Sequence, residues 1–112
     1  MPTTGELPRR GEVWWVRVDK RRPAVVIQTD QLREPRVRSF LVVPLTSRLH
    51  LEGLPGNVRL AGTSTRLAKA SVANVYDIQK VIADDFIERV GSLPPDAVIE
   101  IDQGLILVLG LG

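Results

Sequence analysis

Apolar residues along this chain occur in short runs, and most of the runs are typical of β-strands. Glu12 to Val18 alternates loosely, with one tryptophan on each face of the predicted strand. Pro23 to Ile27 and Ser39 to Leu45 are apolar on both faces, which predicts central strands covered on both sides. Further strands are predicted at residues 57–60, 71–78, 80–83 and 88–91, with polar loops or single turns at 29–38, 47–56 and 61–69. Such short, closely spaced strands favour a small barrel over a doubly wound sheet.

The end of the chain has the pattern of an amphipathic helix. Residues 92–96 read Ser-Leu-Pro-Pro-Asp, a start signal, because proline is favoured in a first helical turn and an aspartate there suits the positive end of the helix dipole. One apolar stripe follows, formed by Ala97, Ile101, Leu105 and Val108. Gly104 is expected to weaken the helix. Residues 105–109 are apolar all round, so a second apolar face needs a cover, which favours a homodimer.

Length and composition narrow the class of protein. The 112 residues predict a single domain spanning residues 1–112. The absence of cysteine excludes a disulfide framework, a thiol nucleophile and a cysteine zinc site. Residues 1–5 have no apolar signal region, and no apolar stretch approaches the roughly 20 residues of a membrane span. We therefore expect a mainly β protein with a C-terminal α-helix, no membrane span and a cytoplasmic location.

Charge is distributed unevenly along the chain. Residues 1–50 carry ten Lys and Arg against five Asp and Glu, a net of +5, whereas residues 51–112 carry five against eight, a net of −3. Nine of the ten basic residues in the first half are arginines, whose planar fork holds phosphate or carboxylate groups in two places. This surface favours a phosphate-rich partner, although a merely solvated basic surface gives the same charge count.

The residues at the strand ends provide the candidate chemistry. The second strand begins next to Arg22 and the third ends near Thr46. If these runs are neighbouring strands, the guanidinium and the hydroxyl converge at one rim of a small sheet, where they suit a phosphate without any metal ligand. The chain has a single histidine, His50, so a mechanism that uses two histidines is excluded.

Six segments, taken in order, resemble the MazF/PemK toxin family, the small endoribonucleases of bacterial toxin–antitoxin systems. They are Arg10-Gly-Glu-Val-Trp-Trp-Val16, Arg22-Pro-Ala-Val-Val-Ile27, Val43-Pro-Leu-Thr-Ser47, Pro55-Gly-Asn-Val58, Lys69-Ala-Ser-Val-Ala-Asn74 and Leu107-Val-Leu-Gly-Leu111. Each segment is weak alone, but the resemblance runs from about Arg10 to Leu111.

The resemblance implies a fold and an activity. The expected fold is a compact SH3-like β-barrel of the MazF/PemK/CcdB type with a C-terminal helix, assembled as a homodimer. The expected activity is cleavage of single-stranded RNA at short sequence motifs by 2′-hydroxyl attack, without a metal or other cofactor, leaving a 2′,3′-cyclic phosphate and a 5′-hydroxyl. A cognate antitoxin would block the RNA groove.

The resemblance also assigns site residues. Arg22 and Thr46 take the positions of the family's catalytic arginine and functional threonine. The substrate-binding residues assigned alongside them are Ser47, Glu12, Lys20, Arg21 and Lys69, with Glu12 expected at the base of the same pocket. The general base stays open among Glu12, Asp77 and a water held by the backbone, and Glu12 is equally a candidate structural partner for a buried donor.

Some positions depart from the family pattern, and they keep other functions open. Only residues 19–21 connect the first strand to the Arg-Pro segment, where family members usually have about ten, and Ala70 replaces a frequent acidic residue. One alternative is a protein-binding toxin similar to CcdB, although that branch lacks the Arg-Pro and Pro-Leu-Thr pairing. The other is a weakly active or inactive module that binds nucleic acid or antitoxin.

Overall fold

The structure is a computed structural model that describes residues 7–112, so the expectation about residues 1–5 lies outside it. Within the described residues, the chain forms seven strands and two α-helices. The strands are β1 (Glu12–Arg17), β2 (Arg21–Val26), β3 (Ser39–Thr46), β4 (Val58–Leu60), β5 (Ser71–Ala73), β6 (Gln79–Ile82) and β7 (Phe86–Ser92). The helices are α1 (Gly62–Thr65) and α2 (Pro95–Leu109).

All strand pairs are antiparallel, and the hydrogen-bonded order is β4-β5-β3-β2-β1-β7. The eight-residue β3 is the centre of this sheet, because it pairs with β2 along one side and with both β5 and β6 along the other. The predicted class, mainly β with a C-terminal helix, is confirmed. The order ends at β4 and β7, so the sheet is not closed into a complete barrel.

Apolar side chains on the two faces of the sheet form two cores. Val13, Val25 and Val43 point to the face on which α2 packs its buried stripe, which includes Ile101 and Leu105. Alternate residues of the same strands, such as Trp14 and Ala24, point to a second core closed by aromatic contacts. The runs that are apolar on both faces are therefore covered on both sides, as the sequence predicts.

Two local expectations are wrong. Residues 61–69 contain α1 instead of a simple loop; this helix ends at Arg66, a non-glycine residue in the left-handed conformation (φ 65°). The strand predicted over 71–78 stops at Ala73. The backbone N–H of Asn74 still donates to the Pro44 carbonyl (3.1 Å), and the strand stops there because the chain turns, with the N–H of Asp77 donating to the Asn74 carbonyl (3.1 Å).

Helix α2 begins and runs as its pattern predicts, and Gly104 has a packing role in it. The glycine faces the loop at Gly56, and a Cβ atom added to Gly104 would overlap the carbonyl oxygen of Gly56. The missing side chain thus lets the helix approach the loop closely. No helix in the described residues has the length and apolarity that crossing a membrane requires.

Candidate active site

A cleft of about 970 Å³ opens where the β1–β2 connection meets the end of β3. Its lining is rich in charge, with four basic and two acidic side chains: Lys20, Arg21, Arg22, Arg48, Asp19 and Asp77. Hydrogen-bonding side chains without charge complete the polar part, namely Thr46, Ser47, Asn74 and Gln79. The formal balance of these groups is +2, so the cleft suits an anionic ligand.

Strand pairing brings Arg22 and Thr46 together at this cleft. Ala24 pairs with Pro44 across β2 and β3. The paired positions of these two strands end there, and beyond them Arg22 and Thr46 both line the cleft. The convergence expected from the sequence is therefore present, while the catalytic roles of the two residues stay predictions.

The hydroxyl of Thr46 is oriented by its own chain. Its oxygen accepts a hydrogen bond from the backbone N–H of Arg48 (3.1 Å). Among the described residues no acceptor is recorded for the hydroxyl hydrogen, so that hydrogen can be donated to a ligand in the cleft. Ser47 lies beside it on the same lining. Arg48 is a cleft residue that the sequence analysis does not assign. The one feature that could have indicated it is its position two residues after Thr46.

Arg22 is held by an acidic neighbour. Its Nε donates to Oδ1 of Asp19 (3.1 Å) and its Nη2 donates to Oδ2 (3.4 Å). These hydrogen bonds, together with Coulomb attraction to the same carboxylate, raise the pKa of the guanidinium above its ordinary value. They also lower the pKa of the Asp19 carboxyl. Arg22 is therefore a permanent cation in the cleft and not a proton donor.

The second tryptophan lies in the cleft. Trp14 is buried in the core, whereas Trp15 lines the cleft and is covered by Arg21, whose guanidinium carbon is 4.6 Å from the ring centroid. Arg21 also donates to Glu88 (3.2 Å) at the surface. The two tryptophans therefore lie on different faces of β1, as the sequence predicts, and Trp15 makes a cation–π contact on the cleft wall.

Glu12 does not lie where the sequence interpretation put it. It is absent from the cleft lining, and its side chain is only 11% exposed. Its carboxylate accepts from the backbone N–H of Arg9 (2.8 Å), from Nε1 of Trp14 (3.0 Å) and from Nε of Arg89 (2.7 Å). These bonds tie the segment before β1 to β1 and β7, so the geometry supports a structural function for Glu12.

Replacing Glu12 by alanine should lower the free energy of unfolding by about 3 kcal/mol, because three donors lose their acceptor and one of them is buried. Urea unfolding followed by tryptophan fluorescence measures this change. The matched control is Glu52→Ala, which removes a half-exposed carboxylate 3.8 Å from Arg59 and should change stability by less than about 0.5 kcal/mol. A Glu12→Ala protein of unchanged stability but without activity would contradict the structural assignment.

Lys69, the other residue assigned to substrate binding, is also outside the cleft lining. Of its segment, residues 69–74, only Asn74 reaches the cleft. Asn74 is positioned by Asn57, whose side-chain amide donates to Asn74 Oδ1 (3.2 Å) and to the Leu51 carbonyl (3.0 Å). Asn57 Oδ1 accepts in turn from the N–H of Val75 (2.9 Å). Asn57 thus joins two walls of the cleft.

Asp77 is the second carboxylate of the cleft. Its Oδ2 accepts from the side-chain amide of Gln79 (2.9 Å), and its charge adds a small contribution to the raised pKa of Arg22. Nowhere in residues 7–112 do three or more histidine, aspartate or glutamate side chains come together as a group that could hold a metal ion.

The chain is similar to known proteins along nearly its whole length. The family described as the PemK-like, MazF-like toxin of type II toxin–antitoxin systems matches residues 9–109. The curated endoribonuclease MazF2 of Mycobacterium bovis is 37% identical over 110 residues, which cover 91% of this chain and 96% of the relative.

Solved structures agree on the fold. The Mycobacterium tuberculosis toxin MazF-mt6 superimposes with a TM-score of 0.80 at 20% identity, covering 90% of this chain and 98% of that protein. A mycobacterial endoribonuclease in complex with its cognate antitoxin superimposes with a TM-score of 0.78 at 21% identity, covering 94% and 97%. The family resemblance seen in the sequence is thereby confirmed: this chain belongs to the PemK-like, MazF-like toxin family of type II toxin–antitoxin systems.

Proposed function

We propose that this toxin is an endoribonuclease that cleaves single-stranded RNA in the cleft between the β1–β2 connection and the end of β3. The observation that carries the proposal is the placement of Arg22 and Thr46, from the neighbouring strands β2 and β3, in the lining of one basic cleft. A guanidinium and a hydroxyl in one cleft suit the non-bridging oxygens of one phosphodiester. The family membership and the name of the M. bovis relative support the same substrate class.

The reaction proposed is an internal transesterification. The ribose 2′-hydroxyl gives up its proton as its oxygen attacks the adjacent phosphorus, and the bond from phosphorus to the 5′-oxygen breaks. The 5′-oxygen takes up a proton from solvent water, so the products are a 2′,3′-cyclic phosphate and a 5′-hydroxyl. Arg22 stabilises the negative charge that develops on the non-bridging oxygens, which is usually the largest contribution in such a site. Thr46 donates its hydrogen to the same phosphate and fixes its orientation.

A base must also remove the proton of the 2′-hydroxyl. Of the two carboxylates considered from the sequence, Asp77 lies in the cleft and Glu12 does not. We assign this function to Asp77, either directly or through one water molecule. Positioned acid–base groups contribute typically about 10²–10⁴-fold to such a reaction. The side chains in the cleft supply charge stabilisation and proton acceptance, so we propose that cleavage proceeds without a metal ion.

Two surfaces of the protein indicate which partners it binds. The basic cleft is complementary to an acidic segment of a cognate antitoxin, which would exclude RNA by occupying the same charges. The outer face of α2 exposes several large apolar side chains: Ile99, Ile106, Leu107 and Leu109. Burying this patch against a second copy of the chain would form a homodimer.

The test is cleavage of a long single-stranded RNA by the purified protein in the presence of excess EDTA. We expect fragments that carry a 2′,3′-cyclic phosphate and a 5′-hydroxyl, identified by mass spectrometry and by labelling of the 5′ ends with polynucleotide kinase before any phosphatase treatment. Double-stranded RNA of the same sequence should stay intact. Intact single-stranded RNA at micromolar protein would contradict the proposal and favour a module that only binds its partners.

A further inference from the structure

The short connection between β1 and β2 is a turn closed by its own hydrogen bonds. The backbone N–H of Val18 donates to the Lys20 carbonyl (3.2 Å), and the N–H of Lys20 donates to Oδ1 of Asp19 (2.9 Å). The carboxylate of Asp19 is therefore anchored by its own turn, although the side chain is 69% exposed. A fixed carboxylate at this place can determine the orientation of a longer, more flexible side chain beside it.

The geometry of the ion pair leaves the reactive edge of Arg22 available. A guanidinium has one edge formed by Nε and Nη2 and another formed by the two terminal nitrogens. Asp19 contacts the first edge, through Nε at 3.1 Å and Nη2 at 3.4 Å. No other hydrogen bond of Arg22 is recorded within residues 7–112. The terminal edge thus stays open for the two oxygens of a phosphate.

We propose that Asp19 is a positioning residue, which holds Arg22 by its inner edge so that the terminal edge faces the scissile phosphate. The inference rests on the proposed ribonuclease function and goes beyond it, because it assigns a function to the shortened connection. The Arg22 side chain is 43% exposed, so without the contact to Asp19 its guanidinium would have no defined orientation in the cleft. Pre-orientation of a charged group is what makes it effective against a developing charge.

Asp19 has a second, opposite effect on the substrate. Its negative charge lies in the cleft that must receive a polyanion, and Asp77 adds another. Removing the charge of Asp19 should therefore strengthen RNA binding, while the loss of orientation of Arg22 should slow the cleavage step. Asp19 thus favours the transition state over the bound substrate, which is the condition for a faster reaction.

The test compares Asp19→Asn with the wild-type protein on a short RNA that spans a site cut by the wild type. Single-turnover cleavage at saturating protein should fall on the order of 10–100-fold, because a misplaced catalytic group loses rate on that scale. Binding to a fully 2′-O-methylated copy of the RNA, which has no attacking hydroxyl, should become about 2–5-fold tighter at low salt and less so at high salt. Asp19→Glu should restore part of the cleavage rate.

A matched control is present in the same chain. Glu34 holds the inner edge of Arg36 in the same way, with Nε and Nη2 at 2.6 Å and 3.2 Å from its two oxygens, and neither residue lines the cleft. Glu34→Gln should change neither cleavage nor binding by more than about twofold, as expected for an exposed pair away from the site.

Each other outcome overturns the inference in a recognisable way. If Asp19→Asn protein cleaves as fast as the wild type, the carboxylate does not position Arg22 and only competes with the RNA phosphate for its guanidinium. Slower cleavage together with weaker binding shows a general distortion of the turn. The Nε–H signal of Arg22 in a ¹⁵N NMR spectrum of the RNA-free protein should shift and broaden in Asp19→Asn; an unchanged signal contradicts the contact itself. Wild-type protein that does not cleave RNA, with the NMR change present, refutes the proposed function separately.

Discussion

Arg22→Ala is expected to lose RNA cleavage almost completely, with the single-turnover rate falling about 10³-fold, as when a main charge-stabilising donor is removed. The guanidinium lies in the cleft that Thr46 also lines, and it donates a hydrogen bond to Asp19. Its side chain is 43% exposed and outside both apolar cores, so the fold should be unaffected. Gel analysis of RNA fragments, with circular dichroism of the same sample, measures both quantities.

Two further variants sharpen this prediction. Arg22→Lys keeps the charge but loses the planar fork, so it should recover only a small part of the rate. Arg36→Ala removes an arginine with a similar carboxylate partner outside the cleft and should cleave at the wild-type rate. If Arg22→Ala cleaved RNA as fast as the wild-type protein, the proposed mechanism would be wrong even though the activity stood.

Gly104→Ala is expected to lower the stability of the fold substantially. A Cβ atom at this position would overlap the carbonyl oxygen of Gly56 and lie 2.9 Å from the Gly56 carbonyl carbon. Relieving the overlap requires α2 to move away from the loop before β4, which separates part of the core under Ile101 and Leu105. The expected cost of about 3 kcal/mol exceeds the roughly 1 kcal/mol that alanine adds as a better helix former.

Thermal unfolding provides the measurement for this prediction. The net loss of about 2 kcal/mol in a domain of about 100 residues lowers Tm by about 8–16 °C. Gly53→Ala is the matched control, because a Cβ atom there has no neighbour within 4 Å and the backbone does not require glycine. It should leave Tm within about 2–4 °C of the wild type, the effect of about 0.5 kcal/mol. A Gly104→Ala protein as stable as the wild type would show that the loop yields without cost.

Local patterns in the sequence were sufficient for most of the elements. The runs at 23–27 and 39–45 predict central strands because being covered on both faces requires apolar residues at nearly every position, and the loose alternation at 12–18 predicts the strand beside them. The proline-aspartate start signal and the apolar stripe predict α2, because an acidic residue suits the start of a helix and a helix that packs on a core needs apolar residues along one side. At the end of β5 the strand-like sequence pattern continues beyond Ala73, but the strand does not. The backbone N–H of Val75 donates instead to the side chain of Asn57, which is distant along the chain.

The sequence could likewise locate some residues of the candidate site but not others. Arg22 and Thr46 could be paired from the sequence, because each stands at the end of an apolar run and neighbouring antiparallel strands bring such ends together. Their catalytic functions, and those of Ser47, Lys20 and Arg21, stay predictions. Glu12 and Lys69 do not line the cleft, and the sequence could not show this, since a residue type in a motif does not show which way its side chain points.

By itself, the sequence determined the family, the antiparallel strands with their closing helix, and the basic character of the first half. Only the tertiary structure decided which charges share the cleft. In the folded chain, Glu12 accepts hydrogen bonds from Trp14 and Arg89, and Asp19 accepts one from the Nε edge of Arg22. Periodicity reports which side of an element is apolar, whereas the position of a polar side chain depends on partners that are distant along the chain and meet only when it folds.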